Sequence, residues 1–109
     1  MKVYQFIIPE NGHLEWAKTA LHAAGGITDF GLVVGKWLND GATYRDINRH
    51  YQVACSRVVA DFLIARAFEV FPNEKAIYVA RIGKAKIIPR PLATHGERVE
   101  ARAKANSAW

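Results

Sequence analysis

Four histidines, one cysteine and a cluster of tyrosines and arginines are the residues with which this chain could do chemistry. A Cys–His nucleophile would draw on Cys55 and His50, with the imidazole helping to ionise the thiol. The two stand five residues apart in a β-prone run, an odd spacing that sends them to opposite faces of a strand. Cys55 falls on the more apolar side, where a cysteine is ordinarily inert. His13, His22, His50 and His95 are scattered without CxxC or HExxH spacing, so no metal set and no catalytic residue is assigned. Glycine-rich phosphate loops of the GxGxxG or GxxxxGKS/T kind do not occur, and Gly25-Gly26 reads as a helix stop. No cofactor is expected.

Glu10, Asp40 and Asp46 could hold a metal at strand ends, as a nuclease would require, but a turn accounts for Asp40 and a loop or helix start for Glu10. What remains is Tyr44, Arg45, Arg49, His50 and Tyr51, which set positive charge, imidazole and phenol along one strand. They form a candidate binding surface, which Tyr78 joins from the last strand. An ordinary half-exposed strand, where tyrosine is favoured, accounts for the same residues. Both readings stay open.

The elements that would position these residues follow from pattern and punctuation. Val3 to Ile8 is β-branched and aromatic and stops at Pro9, a first strand. His13 to Ala24 reads as a helix with Leu14, Ala17, Leu21 and Ala24 on its apolar stripe. A strand from Thr28 to Leu38 then meets Asn39-Asp40-Gly41, a strong hairpin signal, and returns from Thr43 to Cys55 with room for a bulge at Asp46 to Asn48. Ser56 caps a second helix that Pro72 ends, with Val59, Ala60, Leu63, Ile64, Ala67, Val70 and Phe71 on its core arc. Ala76 to Ile82 and Ala85 to Ile88 read as strands around a Gly83-Lys84 turn.

The fold class is therefore α+β: a ferredoxin-like split β-α-β (βαββαβ) domain over residues 1–89 with an extra C-terminal hairpin strand. Residues 90–109 form a basic tail, in which Glu97 to Ala105 suits a short docked helix. Alternation turns Tyr4, Phe6, Ile8, Tyr51, Val53 and Cys55 toward the helices. The open face receives Val3, Gln5, Ile7, His50, Gln52 and Tyr78. With the central aromatics inward and no RNP-type run, base stacking in the manner of an RNA-recognition motif is disfavoured.

At 109 residues the chain suits one domain, and its lone cysteine offers no internal disulfide. The first apolar run is too short for a signal core or a membrane span, so a cytoplasmic protein without a membrane partner is expected. Residues 1–80 are balanced in charge, and the whole net +5 lies in residues 81–109. A basic tail points to nucleic acid less strongly than a basic domain face. Trp16, Trp37, Phe62, Phe68 and Trp109 exceed what one small core needs, which makes them candidate anchors for a protein partner.

The runs GKWLNDGATYRDINRHYQVACS and FPNEKAIYVARIGKAKII carry a tryptophan before a D/N-G turn, a Y-x-V-A strand and an F-P-x-x-K/E-A-I element. Over about residues 35–88 the chain thereby resembles a group of small uncharacterised bacterial, plasmid and phage proteins. That resemblance implies the fold and carries no activity. Three functions stay in view. The first is a non-enzymatic interaction protein, either a homodimer or an accessory, inhibitor-like factor that binds another protein. The second is a nucleic-acid-associated module using the tail with Arg45 and Arg49. The third is a small enzyme of the dimeric α+β-barrel kind, with His50 and Tyr78 in an open-face pocket.

Overall fold

The computed structural model describes residues 1–91. The expected tail helix and Trp109 lie outside them, as does His95. Six elements follow in the order β1 (Lys2–Pro9), α1 (His13–Ala24), β2 (Thr28–Asn39), β3 (Ala42–Cys55), α2 (Arg57–Val70) and β4 (Tyr78–Lys84). The strands make one antiparallel sheet in the order β2-β3-β1-β4, the split β-α-β arrangement expected from the pattern.

Local chemistry sets the ends of these elements. Asp40 and Gly41 both have positive φ, 51° and 78°, which is the two-residue turn that joins β2 to β3 with Asn39 paired to Ala42. Gly25, at φ 80°, closes α1 by returning its N–H to the Leu21 carbonyl at 2.9 Å. The Ser56 hydroxyl accepts from the Val59 N–H at 3.2 Å and starts α2.

The core lies between the sheet and the helices. Tyr4, Phe6, Ile8, Tyr51, Val53 and Cys55 come from the sheet, and Ala60, Leu63, Ala67 and Phe71 from the α2 region. Val59, Ile64 and Val70 pack half-buried at its margin, so the expected arc of α2 is the observed one. The phase of α1 differs from expectation. Trp16, Ala17 and Ala20 are buried, while Leu14 (71% exposed) and Leu21 (47%) face out. One indole decides this, since it removes roughly 150–250 Å² from water, more than either leucine can. Its Nε1–H also donates to the Leu63 carbonyl at 3.0 Å, which ties α1 to α2, and its ring meets Phe6 at 4.9 Å and Tyr51 at 5.5 Å.

Two further expectations are corrected. The chain does not turn at Gly83-Lys84: β4 runs through both residues, and Ala85 N–H reaches the Met1 carbonyl at 3.0 Å, so residues 85–88 add no hairpin strand. Continuing alongside β1 pairs Gly83 with Val3 and Lys84 with Lys2, which a turn at these two residues would have taken out of the ladder. The bulge lies in β2 at Asp29–Gly31, not at Asp46 to Asn48. There Asp29 Oδ1 accepts from the Gly31 N–H at 2.7 Å.

Candidate functional site

The register divides the six candidate binding residues between two surfaces. Ile7 pairs with both His50 and Tyr78, so these two lie on the helix-free face with Ile7 between them. Tyr44 shares that face further along β3, stacked on Trp37 with ring centroids 4.8 Å apart and an interplanar angle of 21°. Arg45 and Arg49 fall on the opposite, helix-side surface, because neighbours along a strand alternate. Tyr51 is buried in the core, and a single positively charged surface built from all six does not form.

Arg49 is also committed within the chain. Its guanidinium donates through Nε and Nη2 to the two Glu10 carboxylate oxygens, each at 2.8 Å, and through Nη1 to Asp29 at 3.2 Å. The hydrogen bonds from Arg49 hold the Glu10 carboxyl below its ordinary value, and the same bonds push the guanidinium up. Beside this pair, His13 Nδ1 is 2.6 Å from the Tyr51 hydroxyl, and its Nε2 faces Glu10 Oε1 at 3.7 Å. Burial pushes the Tyr51 phenol up. The network joins β1, α1, β2 and β3 below an open notch of about 580 Å³ lined by Glu10, Asn11, Gly12, His13, Leu14 and Ile47. Its polar groups answer one another, which is structural chemistry. Among the described residues no three His, Cys, Asp or Glu side chains gather as a metal site would require. Cys55 is buried, and burial pushes its thiol up, away from a reactive thiolate.

The helix-free face has a polar centre with aromatic surroundings. His50 Nε2 lies 3.0 Å from Gln5 Nε2 and 3.4 Å from Gln52 Nε2, and its ring stacks on Phe30 with centroids 4.7 Å apart and 20° between planes. Phe30 had no place in the sequence reading. The bulge turns it onto this face, and its signal is the Asp29-Phe30-Gly31 spacing, an Asx-type turn set into a strand.

Beyond the end of β1 the β2–β3 hairpin continues alone. Pro9 pairs with Asn48, and from Ala42 to Ile47 every β3 residue is exposed. Val34, Leu38 and Ile47 (61% exposed) lie on the helix-side surface of this two-stranded ribbon, Leu32 (61%) continues that surface where β1 still flanks β3, and Trp37 and Tyr44 lie on the reverse. Sequence reasoning had placed Trp37 among partner anchors without seeing the aliphatic residues beside it.

The other proposed anchors divide. Trp16 is wholly buried in its own core and unavailable to a partner, because α1 turns it inward. Phe62 (52% exposed) and Phe68 stand on the outer surface of α2, Phe62 beside a shallow hollow lined by Lys18, Thr19, His22 and Ala23. No helix among the described residues is long and apolar enough to cross a membrane.

No protein-family model matches the chain, and no curated protein matches it. Solved structures do. A CutA1 from Oryza sativa superposes with a TM-score of 0.63 at 10% identity, covering 80% of this chain and 82% of that one. A divalent cation tolerance protein (CutA1) from Thermus thermophilus gives 0.62 at 13% identity over 91% of each chain. The PII-like protein CutA from Nostoc sp. PCC 7120 in apo form gives 0.59 at 16%, covering 75% of this chain and 81% of that one. At these identities the likeness shows a shared ferredoxin-like α+β fold.

Proposed function

We propose that this chain is a non-enzymatic interaction protein that associates with copies of itself through the β2–β3 ribbon and the helix-free face. One observation carries the reading: the ribbon exposes large apolar side chains on both of its surfaces where neither a third strand nor a helix covers them. A bare two-stranded ribbon is marginal in water, and an apolar edge strand as long as β2 invites pairing unless it is covered. Its charges suit a second copy as the cover. Lys36 and Arg45 stand directly opposite each other on the helix-side surface, an unfavourable pair in isolation, whereas Asp46 projects from the reverse. Opposite surfaces of two ribbons are thus complementary in charge as well as apolar. The helix-free face carries amides, an imidazole and aromatics with no lysine or arginine at its centre, which suits a protein surface better than a phosphate backbone.

A different protein as partner is the second form of this reading. Phe62 and Phe68 favour it, exposed on a helix layer that the ribbon of the same chain does not reach. The cation-tolerance and PII-like descriptions belong to the proteins that bear them, and the chemistry above does not draw on them. The expected relation to plasmid and phage proteins would fit an accessory role.

Light scattering during size exclusion, over a hundredfold range of concentration, tests self-association. The expected result is a mass that is a multiple of 12.2 kDa and falls on dilution. A mass of 12.2 kDa at every concentration would overturn it.

A further inference from the structure

We infer that His50 makes this self-association pH-dependent, so that the assembly loosens as the imidazole takes up a proton. The inference rests on the reading above, and the geometry around the ring carries it. His50 Nε2 faces the Gln5 and Gln52 amides at 3.0 and 3.4 Å, and neither amide brings a charge to the ring. The surroundings are uncharged. From β1, Ile7 lies directly opposite and Gln5 beside it; from β2 come Gly31 and the stacked Phe30. Along β3 the same face presents Gln52, Asn48 and then Asp46, and from β4 Tyr78 stands beyond Ile7. Tyr44, Asp46 and Tyr78 are the titratable groups on this side, and His50 takes part in none of the ion pairs of the described residues. The helices pack on the other side of the sheet.

Protonation leaves both ring nitrogens as donors. Rotating the amides offers oxygens instead and satisfies the new N–H, but the charge stays on a face that has no carboxylate beside the ring. On a separated chain water solvates that charge. Under a second copy it is desolvated. The separated chain therefore binds the proton more tightly, and linkage shifts the equilibrium toward it as pH falls. Histidine is the side chain whose ordinary titration lies in the mildly acidic to neutral range.

Sedimentation velocity of the full chain between about pH 7.5 and about pH 5.5, at fixed ionic strength, reads this out. His50→Gln keeps a neutral amide at the centre of the face and serves as the comparison, with circular dichroism to follow the fold. The expected result is a dissociation constant rising on the order of tenfold per pH unit for each excluded proton in the unsubstituted chain, with H50Q nearly flat. Equal loss of assembly in both, or assembly unchanged over the whole range, would overturn the role of His50 and leave self-association standing. A 12.2 kDa species at every pH would overturn both.

Discussion

From Tyr51 to Cys55, β3 alternates buried and half-buried side chains alongside β1, whereas from Ala42 to Ile47 the same strand is exposed at every residue. The first stretch has α1 and α2 over one face and β1 beside it. The second has only β2. Both stretches are β-branched and aromatic to similar degrees, so propensity does not separate them. What separates them is how much of the chain is left to cover each. In the packed half, polar atoms find partners inside the chain: Trp16 Nε1 on the Leu63 carbonyl, Tyr51 on His13, Arg49 on Glu10. No buried side-chain nitrogen or oxygen is left unpartnered among the described residues. In the ribbon, apolar atoms meet water. A substitution in the packed half should therefore cost stability, and one in the ribbon should cost association.

The largest stability effect should come from Leu63, wholly buried under α1. Leu63→Ala is expected to lose about 2–5 kcal/mol, by methylene transfer and by the cavity left behind. A thermal melt that barely moves would mean that the α1–α2 packing is misplaced. Ser56→Ala should lose about 1 kcal/mol with its cap to the Val59 N–H, measured by urea unfolding.

A smaller effect is expected at alkaline pH. Burial raises the Tyr51 phenol above its ordinary value of 10.0 and the Cys55 thiol above 9.0. A group whose folded value is raised contributes stability that is complete below its unfolded value and lost as pH rises through the folded one. Stability should thus decline above about pH 9–10. Tyr51→Phe should flatten the part of that decline due to the phenol, while lowering stability at neutral pH through the lost bond to His13. Parallel alkaline profiles for the two proteins would show that the phenol does not contribute.

How much of this was legible in the sequence depended on whether a signal was local. Asp40-Gly41 fixed a turn, Ser56 a cap and Gly25 a stop, because each acts on backbone groups within a few residues. The arc of α2 was legible because it is broad and aliphatic. The stripe of α1 was not, since leucine counts cannot show that one indole will find Phe6, Tyr51 and the Leu63 carbonyl from three other elements. The candidate site failed to read as one surface for a related reason. Its residues were grouped by closeness along the chain, while alternation sends Arg45 and Arg49 away from Tyr44 and His50. The pairing of Arg49 with Glu10, 39 residues apart, follows only from the β1–β3 register.

Ile47 tests the comparison most directly, since it lies in the ribbon on the surface of Leu32 and Val34 and is 61% exposed in the single chain. Ile47→Asp, followed by thermal melting under dissociating dilution and by light scattering at high concentration, separates the two quantities. The expected result is a change in intrinsic stability within about 0.5 kcal/mol, as for an exposed position, together with a fall in mass to 12.2 kDa. A variant that keeps the mass of the unsubstituted assembly would contradict the ribbon's role in association.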